Sequence, residues 1–282
     1  GFFIENELKI GEYNHLRIIK EVPFGLYLDG YEDEILLPLQ YVPETYEIDQ
    51  FIDVFIYRDS EDRIIATTLK PKATINQFAY LEVKAVTPLG VFMEWGLAKD
   101  LFVPFSQQFQ KMSVGRSYLV YVYLDGQTDR IVASARIEKF LPLTDGSEFT
   151  IGDKVDAIPF EHTDLGIKCL VNNCKIGMLF KNQVFTNLTF GESTQVYISN
   201  IRPDGKLDLR LEPVGMVRID SQSERILQAI KDNNGVLYLH DKSPAEEIYA
   251  QMGMSKKDFK KGVGALYKSK LIALHNDCIS LL

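Results

Sequence analysis

Cysteine is scarce in this chain. Its three residues, Cys169, Cys174 and Cys278, form no CxxC pair, and their odd number leaves one outside any disulfide scheme. A disulfide framework is therefore not expected, and the cysteines read as the reduced thiols of a cytoplasmic protein. Histidine is nearly as rare: His15, His162, His240 and His275 lie in separate stretches without HxxH or Cys–His spacing, so no metal is expected. Long apolar runs are missing too. None approaches the roughly 18 to 20 residues that a membrane span needs, and no basic region followed by an apolar block opens the chain. The sequence starts at Gly1 rather than Met, from which loss of the natural start is expected. No Walker loop, GxSxG, or GxGxxG opening a helix after a strand occurs. Gly262-Val263-Gly264 is too short and sits inside a helical pattern, and no acidic cluster resembles a two-metal centre. Neither an enzyme nor a cofactor is expected.

What the sequence has is repetition. At 282 residues, 46% hydrophobic and 25% charged, it is large enough to bury several cores. Phe24-Gly25-Leu26-Tyr27-Leu28, Leu89-Gly90-Val91-Phe92-Met93 and Leu165-Gly166-Ile167-Lys168-Cys169 line up, and the same interval back from each glycine reaches Ile10, Ile75 and Ile151. Each repeat continues through an apolar run and ends in two strand-like segments joined by an Asp- or Gly-rich turn, as in Val54-Phe55-Ile56-Tyr57 followed by Arg63-Ile64-Ile65-Ala66-Thr67. Five short strands per repeat suit a small closed barrel of the OB type, whose closure removes sheet edges.

Strand alternation predicts what the barrels display. Leu26 and Leu28, Val91 and Met93, and Ile167 and Cys169 should face inward, leaving Tyr27, Phe92 and Lys168 outward. Exposed aromatics on an OB barrel can stack bases, which makes Phe24, Tyr27 and Phe92 candidate platforms. Packing against a neighbouring barrel or loop is the structural alternative.

Gly followed two residues later by an aromatic, and the later turn Leu101-Phe102-Val103-Pro104-Phe105-Ser106, resemble the RNA-binding repeat of the ribosomal protein S-one. The stretches FGLYLDG, DSEDRIIATT, DLGIKCLVNNCKIGMLF and SKKDFKKGVGALYKSKLI together resemble the conserved virulence factor B family of bacteria, over nearly the whole chain. That resemblance implies three S-one-like barrels and a C-terminal winged helix, in an RNA-binding protein linked to gene regulation. The histidine of the wider S-one pattern in the later turn is replaced by Pro38, Pro104 and Phe180 in the three repeats, which leaves stacking at that position open in the third.

The expected divisions are barrels at 1–75, 76–147 and 148–220 and a winged helix at 221–282. Through residue 75 there are fifteen acids against seven basic residues, the wrong sign for phosphate, so the first barrel reads as a spacer or protein-contact surface. The third supplies Lys168, Lys175, Lys181, Arg202 and Arg210 beside Phe180.

In the last 60 or so residues the period becomes helical. Ser223–Ile230 reads as a helix, Ser243-Pro244-Ala245-Glu246 as a capping box opening a second helix that stops at Gly253, and Ser255 with Asp258 as the cap of a third. This third helix should bury Phe259, Val263, Leu266 and Tyr267. A terminal hairpin completes a winged helix-turn-helix. Lys256 and Lys257 stand in the first turn, where the macrodipole disfavours cations, and Lys257, Lys261 and Lys268 fall opposite the apolar stripe with Lys260 at its flank. A phosphate-facing recognition helix would present itself in this way. The alternatives are a solvated face or a dock for the acidic first barrel.

The sequence thus describes a mainly β, multidomain, non-enzymatic RNA-binding protein of the cytoplasm. Single-stranded RNA is its expected partner, bound through the third barrel and the winged helix, with no membrane involved. Duplex DNA read by the winged helix, or another protein held by a scaffold, are the other readings.

Overall fold

Each of the three repeats closes as a five-stranded barrel in the computed structural model, which describes residues 7–184, 186–213 and 219–282. The first holds β1 (Tyr13–Val22), β2 (Gly25–Asp29), β3 (Glu34–Pro38), β4 (Phe51–Arg58) and β5 (Ile64–Thr67) in the order β1-β2-β3-β5-β4. Antiparallel pairing of β1 with β4 closes it, and β3 with β5 is the one parallel pair. The second barrel comprises β6 (Gln77–Thr87), β7 (Gly90–Met93), β8 (Leu101–Pro104), β9 (Ser117–Leu124) and β10 (Ile131–Ser134). The third comprises β11 (Lys154–His162), β12 (Gly166–Val171), β13 (Lys175–Phe180), β14 (Thr194–Ile201) and β15 (Leu207–Arg210). All three share one topology, and the expected OB architecture is observed.

The repeated glycine has a steric cause. Gly25 pairs with Pro38, Gly90 with Pro104 and Gly166 with Phe180 across the β2–β3 type of hairpin. A Cβ on these glycines would lie 2.1, 2.3 and 2.0 Å from the carbonyl oxygens of Leu37, Val103 and Leu179. No side chain fits at that approach. One strand earlier, each barrel bends at a bulge, between Ile18 and Lys20, Val83 and Ala85, and Pro159 and Glu161. Bulges sharpen the curl that closure demands.

The alternation read from the sequence holds. Leu26, Leu28, Val91, Met93, Ile167 and Cys169 are buried, whereas Tyr27, Phe92 and Lys168 are only partly covered. Burying each Leu or Ile of these cores stabilises the fold by about 1.5–3 kcal/mol relative to exposing it.

Neighbouring barrels also share apolar cores, which the repeat pattern did not indicate. Phe55 and Tyr57 of β4 join Met93, Trp95 and Leu97 of the second barrel, with the rings of Phe55 and Trp95 edge-on at 5.7 Å. Polar contacts surround that joint: Arg130 pairs with Asp62 at 3.1 Å, and Lys99 Nζ donates to the carbonyls of Arg58 and Asp59. Burial lowers the Lys99 pKa. Between the second and third barrels, Leu119 of β9 and Ile137 pack with Leu170 of β12 and Ile176 of β13.

The chain divides into two compact units, residues 1–211 and 212–282. In the second, α1 (Ser221–Asp232), β16 (Val236–Leu237), α2 (Ala245–Met252), α3 (Lys256–Lys268), β17 (Ile272–Leu274) and β18 (Ile279–Leu281) form a winged helix whose small sheet runs β16-β18-β17. The side chain of Asp220 caps α1 by accepting from the Ser223 amide at 2.8 Å, a bond that lowers the Asp220 pKa. Ile226, Ile230, Ile248, Phe259, Leu266 and Ile279 lie in the core of this unit. Gly262 lets α3 approach α1, since a Cβ there would meet Ile226 Cδ1 at 2.6 Å.

Two local expectations are corrected here. Ser243 does not cap α2; its buried hydroxyl accepts from the His240 amide at 3.1 Å, tightening the preceding turn. Tyr267 is exposed rather than part of the buried stripe of α3. No helix of the described residues is long and apolar enough to cross a membrane.

Candidate nucleic-acid interface

Phe180 ends β13 at the point where the first two barrels have proline. Its ring is partly exposed, and the Arg202 guanidinium lies 5.6 Å from the ring centroid, within cation–π range. Arg202 is held there by Asp208, whose Oδ1 accepts from Nε at 2.7 Å, while Asn200 Nδ2 donates to the other carboxylate oxygen at 3.3 Å. Lys181 follows Phe180 in a short 3-10 turn and is exposed; Arg210 ends β15 and is half-buried. Phe180, Lys181, Ser199 and Arg210 line an open groove of about 490 Å³. The arrangement offers one aromatic face and the exposed ammonium of Lys181, with Arg202 held at the ring by Asp208, the parts needed to stack a base and meet its phosphate.

The other expected residues of this barrel lie elsewhere. Lys168 is half-buried on β12, 3.6 Å from Glu161, and lines a separate cavity toward the second barrel. Lys175 corrects the sequence reading more sharply: it is buried, and its Nζ donates to the carbonyl of Thr144. Its charge holds the chain leading into the barrel and is not offered to solvent. The residues that position Arg202 were not singled out from the sequence, although alternation along Leu207-Asp208-Leu209 places Asp208 on the outer face.

In the first barrel Phe24 is exposed and meets Tyr27 edge-on at 6.3 Å. The Tyr27 ring already carries Lys20 Nζ 4.9 Å from its centroid, and that ammonium is paired with Glu34 at 2.7 Å. Phe92 of the second barrel packs on Phe102 at 5.0 Å and lines a cavity with Leu89, Trp95 and Arg130. These contacts match the packing alternative read from the sequence, and of the three rings Phe24 is the exposed one.

In the winged helix, Ser255 caps α3: its hydroxyl accepts from the Asp258 amide at 3.1 Å and donates to Asp258 Oδ2 at 2.7 Å. Phe259, Val263 and Leu266 are buried, which turns Lys257, Lys260, Lys261 and Lys268 outward, with Lys256 partly covered. A Cβ on Gly264 would meet nothing within 4 Å, so the backbone is open beside these lysines. Lys261 also contributes to lowering the Asp220 pKa.

Among the described residues no group of three or more His, Cys, Asp or Glu could hold a metal ion. Burial pushes the Cys169 thiol up to about 12, which makes it unreactive.

Three closed OB-type barrels and a winged helix, with an aromatic–cation groove on one barrel and a lysine-studded helix in the other unit, define a modular protein built from nucleic-acid-binding domain types. Residues 10–69 match the S1 domain, and residues 224–281 match the CvfB-like winged helix domain. The chain is similar to the uncharacterized protein YitL of Bacillus subtilis (strain 168), at 25% identity over 96% of this chain and 93% of that protein. It is also similar to conserved virulence factor B of Staphylococcus aureus (strain N315), at 25% identity over 84% of this chain and 81% of that protein. A multidomain protein with nucleic acid binding domains from Streptococcus pneumoniae TIGR4 aligns with a TM-score of 0.47 and 22% identity, covering 97% of this chain and 98% of that one. The resemblance to the conserved virulence factor B family drawn from the sequence is borne out.

Proposed function

We propose that this protein binds single-stranded RNA without catalysing a reaction, and that it acts in bacterial post-transcriptional control, including control of virulence genes. The observation that carries this reading is the pairing of Phe180 with Arg202 at 5.6 Å beside exposed Lys181. A single strand leaves its bases free to stack on such a ring, whereas a duplex hides them. The lysine face of α3 supplies a second, sequence-independent contact to phosphate. The name of the S. aureus relative, conserved virulence factor B, supports the link to virulence. The divisions at 75, 147 and 220 serve this reading as functional boundaries, with the acidic first barrel acting as a support or partner-contact surface in the cytoplasm.

A competition gel with the full chain tests the proposal. Single-stranded RNA should outcompete duplex DNA of the same sequence by tenfold or more. The outward lysines of α3 specifically favour a second reading, in which the winged helix reads duplex DNA. Preference for duplex DNA would establish that reading in place of the first. No binding to any nucleic acid at low salt would leave a protein scaffold.

A further inference from the structure

Where the second barrel meets the third, the molecule has a cavity of about 280 Å³ that none of the face residues discussed above fills. Its floor is apolar: Met112, Leu119, Ala135 and Ile137 are all buried. Aromatic rings border it, with Phe109 more than half exposed, Tyr118 partly covered and Phe160 of the third barrel on the far wall. Tyr118 is fixed by its hydroxyl, which accepts from the Ser113 amide at 3.0 Å. Three cations, Arg136, Lys139 and Lys168, stand at the wall or rim against two acids, Glu138 and Glu161. Arg136 is oriented by donating from Nε to the Gln108 carbonyl at 3.2 Å.

An apolar floor, aromatic borders and an excess of rim cations describe a receptor for a flat, unsaturated ring attached to an anion. The volume lies just under the roughly 300–1,000 Å³ of sites that take drug-sized ligands, so the occupant is no larger than a single nucleoside. We infer that this cavity takes one unstacked nucleobase of a bound strand, with the base against Phe109, Tyr118 and Phe160 and its phosphate toward Lys139 and Lys168. The inference rests on the RNA-binding reading and deepens it: the third barrel then contributes two recognition points, Phe180 on the groove side and this cavity on the side facing the second barrel. It also gives Lys168, whose nearest partner Glu161 stands 3.6 Å away, a ligand-facing role at the rim.

The test follows the methyl resonance of Met112 in the full chain, assigned by its disappearance in Met112→Leu, while adenosine and uridine monophosphates and then a single-stranded RNA are added. A shift of the Met112 methyl on adding either mononucleotide, repeated with RNA, is expected. Ala135→Leu, which fills the floor, should abolish the mononucleotide shift and weaken RNA binding about tenfold. Phe109→Ala, at an exposed ring that the fold does not need, should reduce the mononucleotide shift and keeps the test decisive if the filled variant does not fold. Phe180→Ala should leave the mononucleotide shift intact. RNA binding by gel with an unmoved Met112 overturns the base pocket and leaves the RNA reading standing. A Met112 shift with mononucleotides but no RNA binding overturns the RNA reading and keeps the pocket as a nucleotide site, whereas neither signal overturns both.

Discussion

Phe180 occupies the position that proline takes in the other two barrels, and this single exchange puts an aromatic ring at the strand end. The ring is only partly covered and packs beside Arg202, so its removal leaves the barrel core of Leu179, Ile198 and Leu209 untouched. Phe180→Ala should therefore cost about 1–3 kcal/mol in RNA affinity through lost stacking, with a melting temperature close to that of the parent. Titration of a fluorescent single strand, beside a thermal melt, checks both halves. Equal affinities would remove Phe180 from the interface. Phe180→Tyr should retain most of the binding, because the aromatic face survives.

At the scale of the element, α3 separates its two faces cleanly. Phe259, Val263 and Leu266 hold it in the core, and the lysines at 257, 260 and 261 take no part in that packing. Replacing the three by alanine should weaken RNA binding across sequences alike and leave the fold intact. If each neutralises one phosphate, the slope of log affinity against log salt should flatten by roughly 0.7 per lysine for a single strand. A slope that does not change would assign this face to solvent or to a protein. The same helix illustrates how far sequence pattern reaches. Its cap, Ser255 with Asp258, is local and was legible, as was the two-residue alternation that buries Leu26 and Leu28 around Tyr27. Ser243 departs from the capping pattern because a serine hydroxyl can bond nearby backbone outside a helix as well as at its start, and here it accepts from the His240 amide. Tyr267 lies at the edge of the stripe, where its amphipathic ring can remain in water. Lys175 was misread for a different reason: its partner, the carbonyl of Thr144, lies 31 residues away, and no periodicity announces such a contact. The cavity between the second and third barrels escaped notice on the same ground, since its walls come from segments far apart in the chain.

Across the first unit, adjacent barrels are joined through shared apolar cores as well as through linkers. Phe55 is fully buried and belongs to the same cluster as residues of the second barrel. Phe55→Ala should destabilise by about 3–5 kcal/mol, the range for emptying a large aromatic site. Its effect should reach beyond the barrel that carries it: chemical denaturation followed by hydrogen exchange should show amides of β4 and of β6–β10 losing protection together. Loss confined to β1–β5 would mean that the joint contributes nothing to cooperativity. The only tryptophan of the chain, Trp95, stands at this joint, buried, edge-on to Phe55, with its indole Nε1 donating to the Lys99 carbonyl at 2.8 Å. The protein therefore carries a built-in optical gauge: its intrinsic emission should shift to longer wavelength when water enters between the first two barrels, and should stay unchanged while the winged helix alone melts.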